Sequence, residues 1–259
     1  MARVHTPLGS AIGYGEAGSG DALPIVFLHG VGSDKSVWRP QLAHFGAERR
    51  AIAFDYPGYG ESDPAEDGAS RDEFARAIAA GMEALGIDRA HICGLSLGGV
   101  VALALYNLAP ARCASLILAD SFALHPQGTA IYERAIAASA DLRGAAEARV
   151  DMLLAQPADP ALRAEVVETM ARIDPAAYRI GADAVWLADQ SERAASVNVP
   201  TLVLVGSEDS ITPPALSKQL AELIPGARLQ LIEGAGHISN AERANAFDAA
   251  VGSFIESLG

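Results

Sequence analysis

Cysteine is nearly absent from this chain of 259 residues, where only Cys93 and Cys113 occur. Two thiols that far apart form neither a disulfide framework nor a metal-ligand cluster, so stability must come from a packed core. Lysine is equally scarce, confined to Lys35 and Lys218, and arginine carries almost all the positive charge. That bias reads as genomic rather than functional. Basic residues as a class are outnumbered, 19 against 32 acidic, for a net charge of −13. Such a surface repels phosphate backbones and anionic lipid, which argues against nucleic-acid and membrane partners. No apolar run reaches the roughly 18 residues of a membrane span, and the N-terminus lacks a basic-then-apolar leader. The expectation is a soluble, cytoplasmic protein acting on a small molecule. Nothing in the sequence sets its oligomeric state.

What the chain does have is apolar material. Half the residues are hydrophobic, and a chain of this size can bury roughly 70% of its surface. After an opening hairpin around Pro7 and Gly9 come short apolar runs at residues 25–28, 51–54, 91–93, 115–118, 201–205 and 229–232. Continuous apolar runs suit strands covered on both faces, as in parallel sheets. Helical patterns lie between them, one opened by the capping box Ser70-Arg71-Asp72-Glu73. Alternation of this kind predicts an α/β fold, a mainly parallel twisted sheet with helices on both faces. Residues 122–190 break the rhythm with helical patterns and no strand, which predicts an all-helical cap insertion. Three segments follow: core at 1–121, cap at 122–190 and core again at 191–259. Ligands of open α/β sheets sit at the carboxyl ends of the strands, where such a cap would roof them.

The sharpest motif is Gly94-Leu95-Ser96-Leu97-Gly98, after a strand and before a helix. A strand reversing so tightly into a helix strains the serine backbone and exposes its hydroxyl at a helix N-terminus, the setting of a nucleophile elbow. A capping serine in an ordinary turn is the plainer alternative. A serine nucleophile needs a base oriented by an acid. Of six histidines, His5, His44, His91 and His125 read as structural or exposed, and His29 as a turn-stabilising side chain. The order serine, acid, histidine selects His237, after the last strand. For the acid, Gly206-Ser207-Glu208-Asp209 offers two carboxylates, of which Asp209 is favoured over Glu208. Asp120 is a third candidate, and Asp55 reads as structural. Gly30 and Gly32 let the backbone after the first parallel strand turn sharply. The amide of Val31 can then aim at an oxyanion beside the amide of Leu97.

Five segments together resemble the α/β-hydrolase superfamily over essentially the whole chain. They are Phe27–Gly32, Asp55–Gly60, Gly94–Gly99, Gly206–Asp209 and Gly236-His237. The resemblance implies an α/β-hydrolase fold, a Ser96–Asp209–His237 triad and oxyanion donors at Val31 and Leu97. More narrowly, His237–Glu242 and the stretch from Ile173-Asp174-Pro175 to Val199–Leu202 are similar to 3-oxoadipate enol-lactonases. That similarity matches Arg134 to an arginine that would hold a substrate carboxylate, with Ile131 standing where such enzymes would carry tryptophan. Tyr132 on the same helix and Trp186 at the end of the cap are further candidates for lining the substrate pocket.

The expected activity is hydrolysis of a small carboxylic ester or lactone, an enol-lactone leading, through an acyl-enzyme on Ser96. No metal or organic cofactor is required. The same triad also supports hydrolysis of carbon–carbon bonds in vinylogous diketones, or cofactor-free perhydrolysis as in haloperoxidases. A binding module with a dead triad is the rival from another class, and the intact Ser96, Asp209 and His237 argue against it.

Overall fold

The computed structural model describes residues 2–66 and 68–259. Eight strands form one sheet in the order β1-β2-β4-β3-β5-β6-β7-β8. They are β1 (Ala2–His5), β2 (Ala11–Ala17), β3 (Ile25–Leu28), β4 (Ala51–Phe54), β5 (Ala90–Leu95), β6 (Cys113–Ala119), β7 (Thr201–Gly206) and β8 (Arg228–Ile232). The opening hairpin β1–β2 pairs antiparallel and joins β4 antiparallel; every later pairing is parallel. Strands β3 to β7 are buried along their whole length, as their apolar runs predict. The last strand departs from that reading. Residues 228–231 are exposed and only Ile232 is buried, because β8 is the sheet edge and has a neighbour on one side alone.

Two rows of helices cover the sheet. On one face α1 (Arg39–Phe45) packs against α11 (Ala244–Glu256). On the other, α2 (Arg71–Ala84), α3 (Leu97–Leu108), α8 (Ser191–Ala195) and α9 (Pro214–Leu223) pack in succession. The capping box of α2 is present, Ser70 and Glu73 each binding the other's backbone. A single closing helix from residue 241 is the simpler sequence reading. Instead α10 (Ser239–Glu242) ends at a bend at Arg243, with φ −131° and ψ 51°. Ahead of that bend the Glu242 carboxylate accepts the N–H groups of Gly236 and Ala155.

Between β6 and β7 lie only helices: α4 (Gly128–Ala138), α5 (Leu142–Leu153), α6 (Pro160–Ala171), α7 (Pro175–Trp186) and α8. Asp141, Asp159 and Asp174 cap α5, α6 and α7, each accepting backbone N–H groups of the first turn. Proline at the first position of α6 and α7 sharpens both starts. Consequently α7 begins at residue 175, six residues before the pattern of hydrophobic residues suggests. The insertion seats itself over the strand ends, with α7 touching α2 and α3.

Candidate active site

Strand β5 and helix α3 meet at Ser96, whose φ of 55° and ψ of −114° are those of a strained turn. Strain of this kind costs about 1–3 kcal/mol and persists only where the surroundings impose it. Two glycines make room for it. A Cβ on Gly94 would stand 2.1 Å from the Gly98 carbonyl oxygen, and one on Gly98 would stand 2.1 Å from that of Leu28. The backbone is fastened by Ser96 N–H to Ala119 O (2.8 Å) and by the Ser121 hydroxyl to Ser96 O (2.9 Å).

His237 follows β8 and reaches back over the sheet, its Nε2 lying 3.1 Å from Ser96 Oγ. Its Nδ1 is 2.9 Å from Asp209 Oδ2. All three side chains are buried. Asp209 is held rigidly: Oδ1 accepts the N–H groups of Ile211 (2.8 Å) and Thr212 (2.9 Å), and Oδ2 accepts the Thr212 hydroxyl (2.6 Å). With Nδ1 donating to the carboxylate, Nε2 is left unprotonated toward the serine. Burial disfavours the charged Asp209, yet His237 and Thr212 outweigh it and bring its pKa down to about 2. Burial likewise opposes the His237 imidazolium; Asp209, and beyond it Asp120, prevail over that and over Arg149, leaving the pKa above the usual imidazole value.

The N–H groups of Val31 and Leu97 have no acceptor among the described residues. Gly30 approaches Ser96 closely, a Cβ there standing 3.6 Å from that of the serine. His29 underlies this turn. Its Nε2 accepts the Tyr56 N–H (3.4 Å) while Nδ1 donates to Gly30 O (2.8 Å), and burial keeps it neutral. Glu208 is exposed. Asp55 serves its own turn, bound by the Lys35 ammonium and amide.

Val31, Ser96, Leu153, Met170, Trp186 and His237 enclose a cavity of about 60 Å³ beneath the insertion. Outside it lies a larger cavity of about 600 Å³, and Arg149 and Ile211 line both. Trp186 therefore lines the inner cavity, and its buried indole N–H lacks a hydrogen-bond partner among the described residues. Arg134 lies in the outer cavity, and Tyr132 lines neither. The cation beside Ser96 is Arg149 on α5, which donates to the Tyr178 hydroxyl at 3.3 Å. Sequence reasoning passes over it because six arginines crowd residues 134–179 with nothing local to separate them. Position in the fold does separate them: Arg143 and Arg163 are spent on ion pairs with Glu168 and Asp151, and of the other four only Arg134 and Arg149 line these two cavities.

Comparison with known proteins bears on the fold that carries these residues. The chain is 29% identical to 3-oxoadipate enol-lactonase 1 of Acinetobacter baylyi over 245 residues, 93% of this chain and 91% of that protein. Its fold superposes on the enol-lactonase of Burkholderia xenovorans LB400 with a TM-score of 0.91 at 28% identity, covering 98% and 100% of the two chains. It superposes on a thermophilic esterase of Thermogutta terrifontis with a TM-score of 0.89 at 25% identity, covering 99% and 98%. The family model described as "Alpha/beta hydrolase family" matches residues 25–250, from the first parallel strand to the closing helix. A serine on a strained strand-to-helix turn, answered by a histidine after the last strand, is thus carried on the scaffold that its order in the chain implies: the protein belongs to the alpha/beta hydrolase family.

Proposed function

We propose that Ser96 is the nucleophile, His237 the general base and Asp209 the acid of a serine hydrolase acting on a small ester or lactone that carries an anionic group. The observation that carries this reading is the relay from Ser96 Oγ to His237 Nε2 (3.1 Å) and from Nδ1 to Asp209 (2.9 Å) in a cavity beneath the helical insertion. As Ser96 Oγ bonds to the substrate carbonyl carbon, its proton passes to His237 Nε2. The carbonyl oxygen becomes an oxyanion, for which the Val31 and Leu97 amides are the donors; one such donor is worth on the order of 3 kcal/mol. The imidazolium then gives its proton to the leaving oxygen as the C–O bond breaks, and water repeats the sequence to free the acid.

Residues 122–190 act as the cap and supply specificity. Trp186 lines the cavity beside Ser96 and shapes it by contact. An anionic group is favoured because the two cavities are lined by Arg134 and Arg149 and by no aspartate or glutamate. The A. baylyi and B. xenovorans relatives, named for enol-lactone hydrolysis, support a carboxylate-bearing lactone as the first substrate to try. The test is a panel of p-nitrophenyl esters and lactones, with and without a carboxylate, alongside intact-mass labelling by a fluorophosphonate. Ser96 should be the single labelled residue, and Ser96→Ala should lose both labelling and turnover. Labelling of another serine would overturn the assignment.

A further inference from the structure

Two non-glycine residues hold a positive φ among the described residues: Ser96 at 55° and Asp120 at 47°. The elbow explains the first. The second stands one residue past β6, wholly buried, and no step of the hydrolysis above employs it. Aspartate enters the left-handed region more easily than most residues, and here the bonds of its carboxylate hold it there. Oδ1 accepts the Gly206 N–H at 2.8 Å. Oδ2 accepts the Ser239 hydroxyl at 2.5 Å and its N–H at 3.3 Å. Gly206 closes β7 just ahead of Asp209, and Ser239 opens α10 just after His237. One carboxylate therefore joins the strand end bearing the acid to the turn bearing the base. The flanking residues Ala119 and Ser121 hold the nucleophile's backbone, so all three loops converge on residues 119–121.

We propose that Asp120 is a positioning residue of this hydrolysis, tying the Asp209 and His237 loops together and holding a negative charge behind the imidazolium formed as Ser96 is deprotonated. The proposal rests on the triad reading above. A neutral side chain could brace the loops, and a buried carboxylate is expensive, so the charge itself calls for a use. The groups facing it are known: Asp209 and His237 act on it directly, Arg149 and His125 lie around the same imidazole, and the Cys93 thiol beneath it is kept protonated by burial. Burial and then Asp209 push the Asp120 pKa up to about 7. Its charge is therefore fully present on the alkaline side, where the neutral His237 works.

The experiment measures kcat and KM for one chromogenic ester from about pH 5 to about pH 9. Wild type, Asp120→Asn and Ser96→Ala are compared, with folding checked by circular dichroism. Asp120→Asn keeps an acceptor for Gly206 and a polar partner for Ser239 but no charge. We expect kcat to fall about fivefold or more near pH 8 with KM within about twofold. The acid limb of kcat/KM should also move about half a unit or more to lower pH, since an anion that favours the imidazolium has gone. A folded Asp120→Asn protein with wild-type kcat and an unmoved limb would overturn the proposal and leave a brace only. If Asp120→Asn does not fold, Ser239→Ala carries the test. Losing that hydrogen bond makes Asp120 harder to ionise, so activity relative to wild type should be lowest between about pH 7 and pH 8 and recover by about pH 9. A constant ratio across that range would be equally fatal. Failure of the triad reading looks different, because Ser96→Ala would then keep its turnover whatever Asp120 does.

Discussion

Asp209 and Glu208 are adjacent carboxylates in opposite surroundings. The first is buried against His237 and three donors, the second is exposed. Asp209→Asn should keep the fold yet lower kcat by about 10⁴, the loss that a serine-protease triad suffers on the same change. Glu208→Gln should cost less than about tenfold. Steady-state kinetics of the two variants decide the assignment, and exchanged results would reverse it. The pH profile belongs to the same residues. His237 must be neutral to accept the proton, and its pKa is raised, so kcat/KM should fall about tenfold per unit below a midpoint above the usual 6.5. Asp209, ionised down to about pH 2, adds no limb of its own in that range. A profile flat to about pH 4.5 would exclude a histidine base. The meeting of Ser96, Asp209 and His237 was legible in the sequence because each sits in a local motif at a strand end. Arg149 was not, since which cap arginine lines the Ser96 cavity depends on how four helices pack. Asp120 was legible only as a spare acid; its ties to Gly206 and Ser239 span residues 86 and 119 positions away.

At the scale of the element, the elbow is a place where glycine is required by close approach rather than by flexibility. Gly98 lies inside α3, where alanine would ordinarily gain about 1 kcal/mol. Here a Cβ would press on the Leu28 and His29 carbonyls, which lead into the Val31 turn. Gly98→Ala should therefore destabilise by about 1–3 kcal/mol and lower kcat as well. Gly252 in α11 is the control, because a Cβ there meets nothing within 4 Å. Gly252→Ala should raise stability by about 0.5–1 kcal/mol with unchanged turnover. Thermal or urea unfolding of the pair checks both, and equal effects of one sign would refute the account. The sequence indicated the elements well where hydrophobic runs were buried on both faces, as in β3 to β7. It placed β8 correctly but not its burial, since an edge position leaves residues 228–231 exposed, and it missed the bend at Arg243, where the hydrogen bonds of Glu242 accompany a break that no local signal marks.

Over the whole molecule, a net charge of −13 encloses two adjoining cavities whose walls carry arginine and no carboxylate. An anionic substrate is repelled at long range and held at short range, so the local cations must dominate binding. Arg149→Ala should raise KM for a carboxylate-bearing lactone relative to a neutral ester by about tenfold, and Arg134→Ala by less, since one desolvated ionic hydrogen bond is worth about 1.5–3 kcal/mol. Added salt should narrow the Arg134 effect more than the Arg149 effect, because the outer cavity is the more open to screening. An unchanged KM ratio in both variants would remove the anionic substrate class. The cap that carries these arginines is also bonded to the chemistry beneath it. The His237 N–H donates to the Leu153 carbonyl at the end of α5 (2.8 Å), and the Ser210 hydroxyl donates to Met152 O (2.9 Å). Glu242 clasps Ala155 and Gly236 together. A cap fastened in this way is a poor candidate for exchange as a module. Grafting another hydrolase's insertion here would replace the backbone acceptor that seats His237, so selectivity and turnover would be inherited as a single trait.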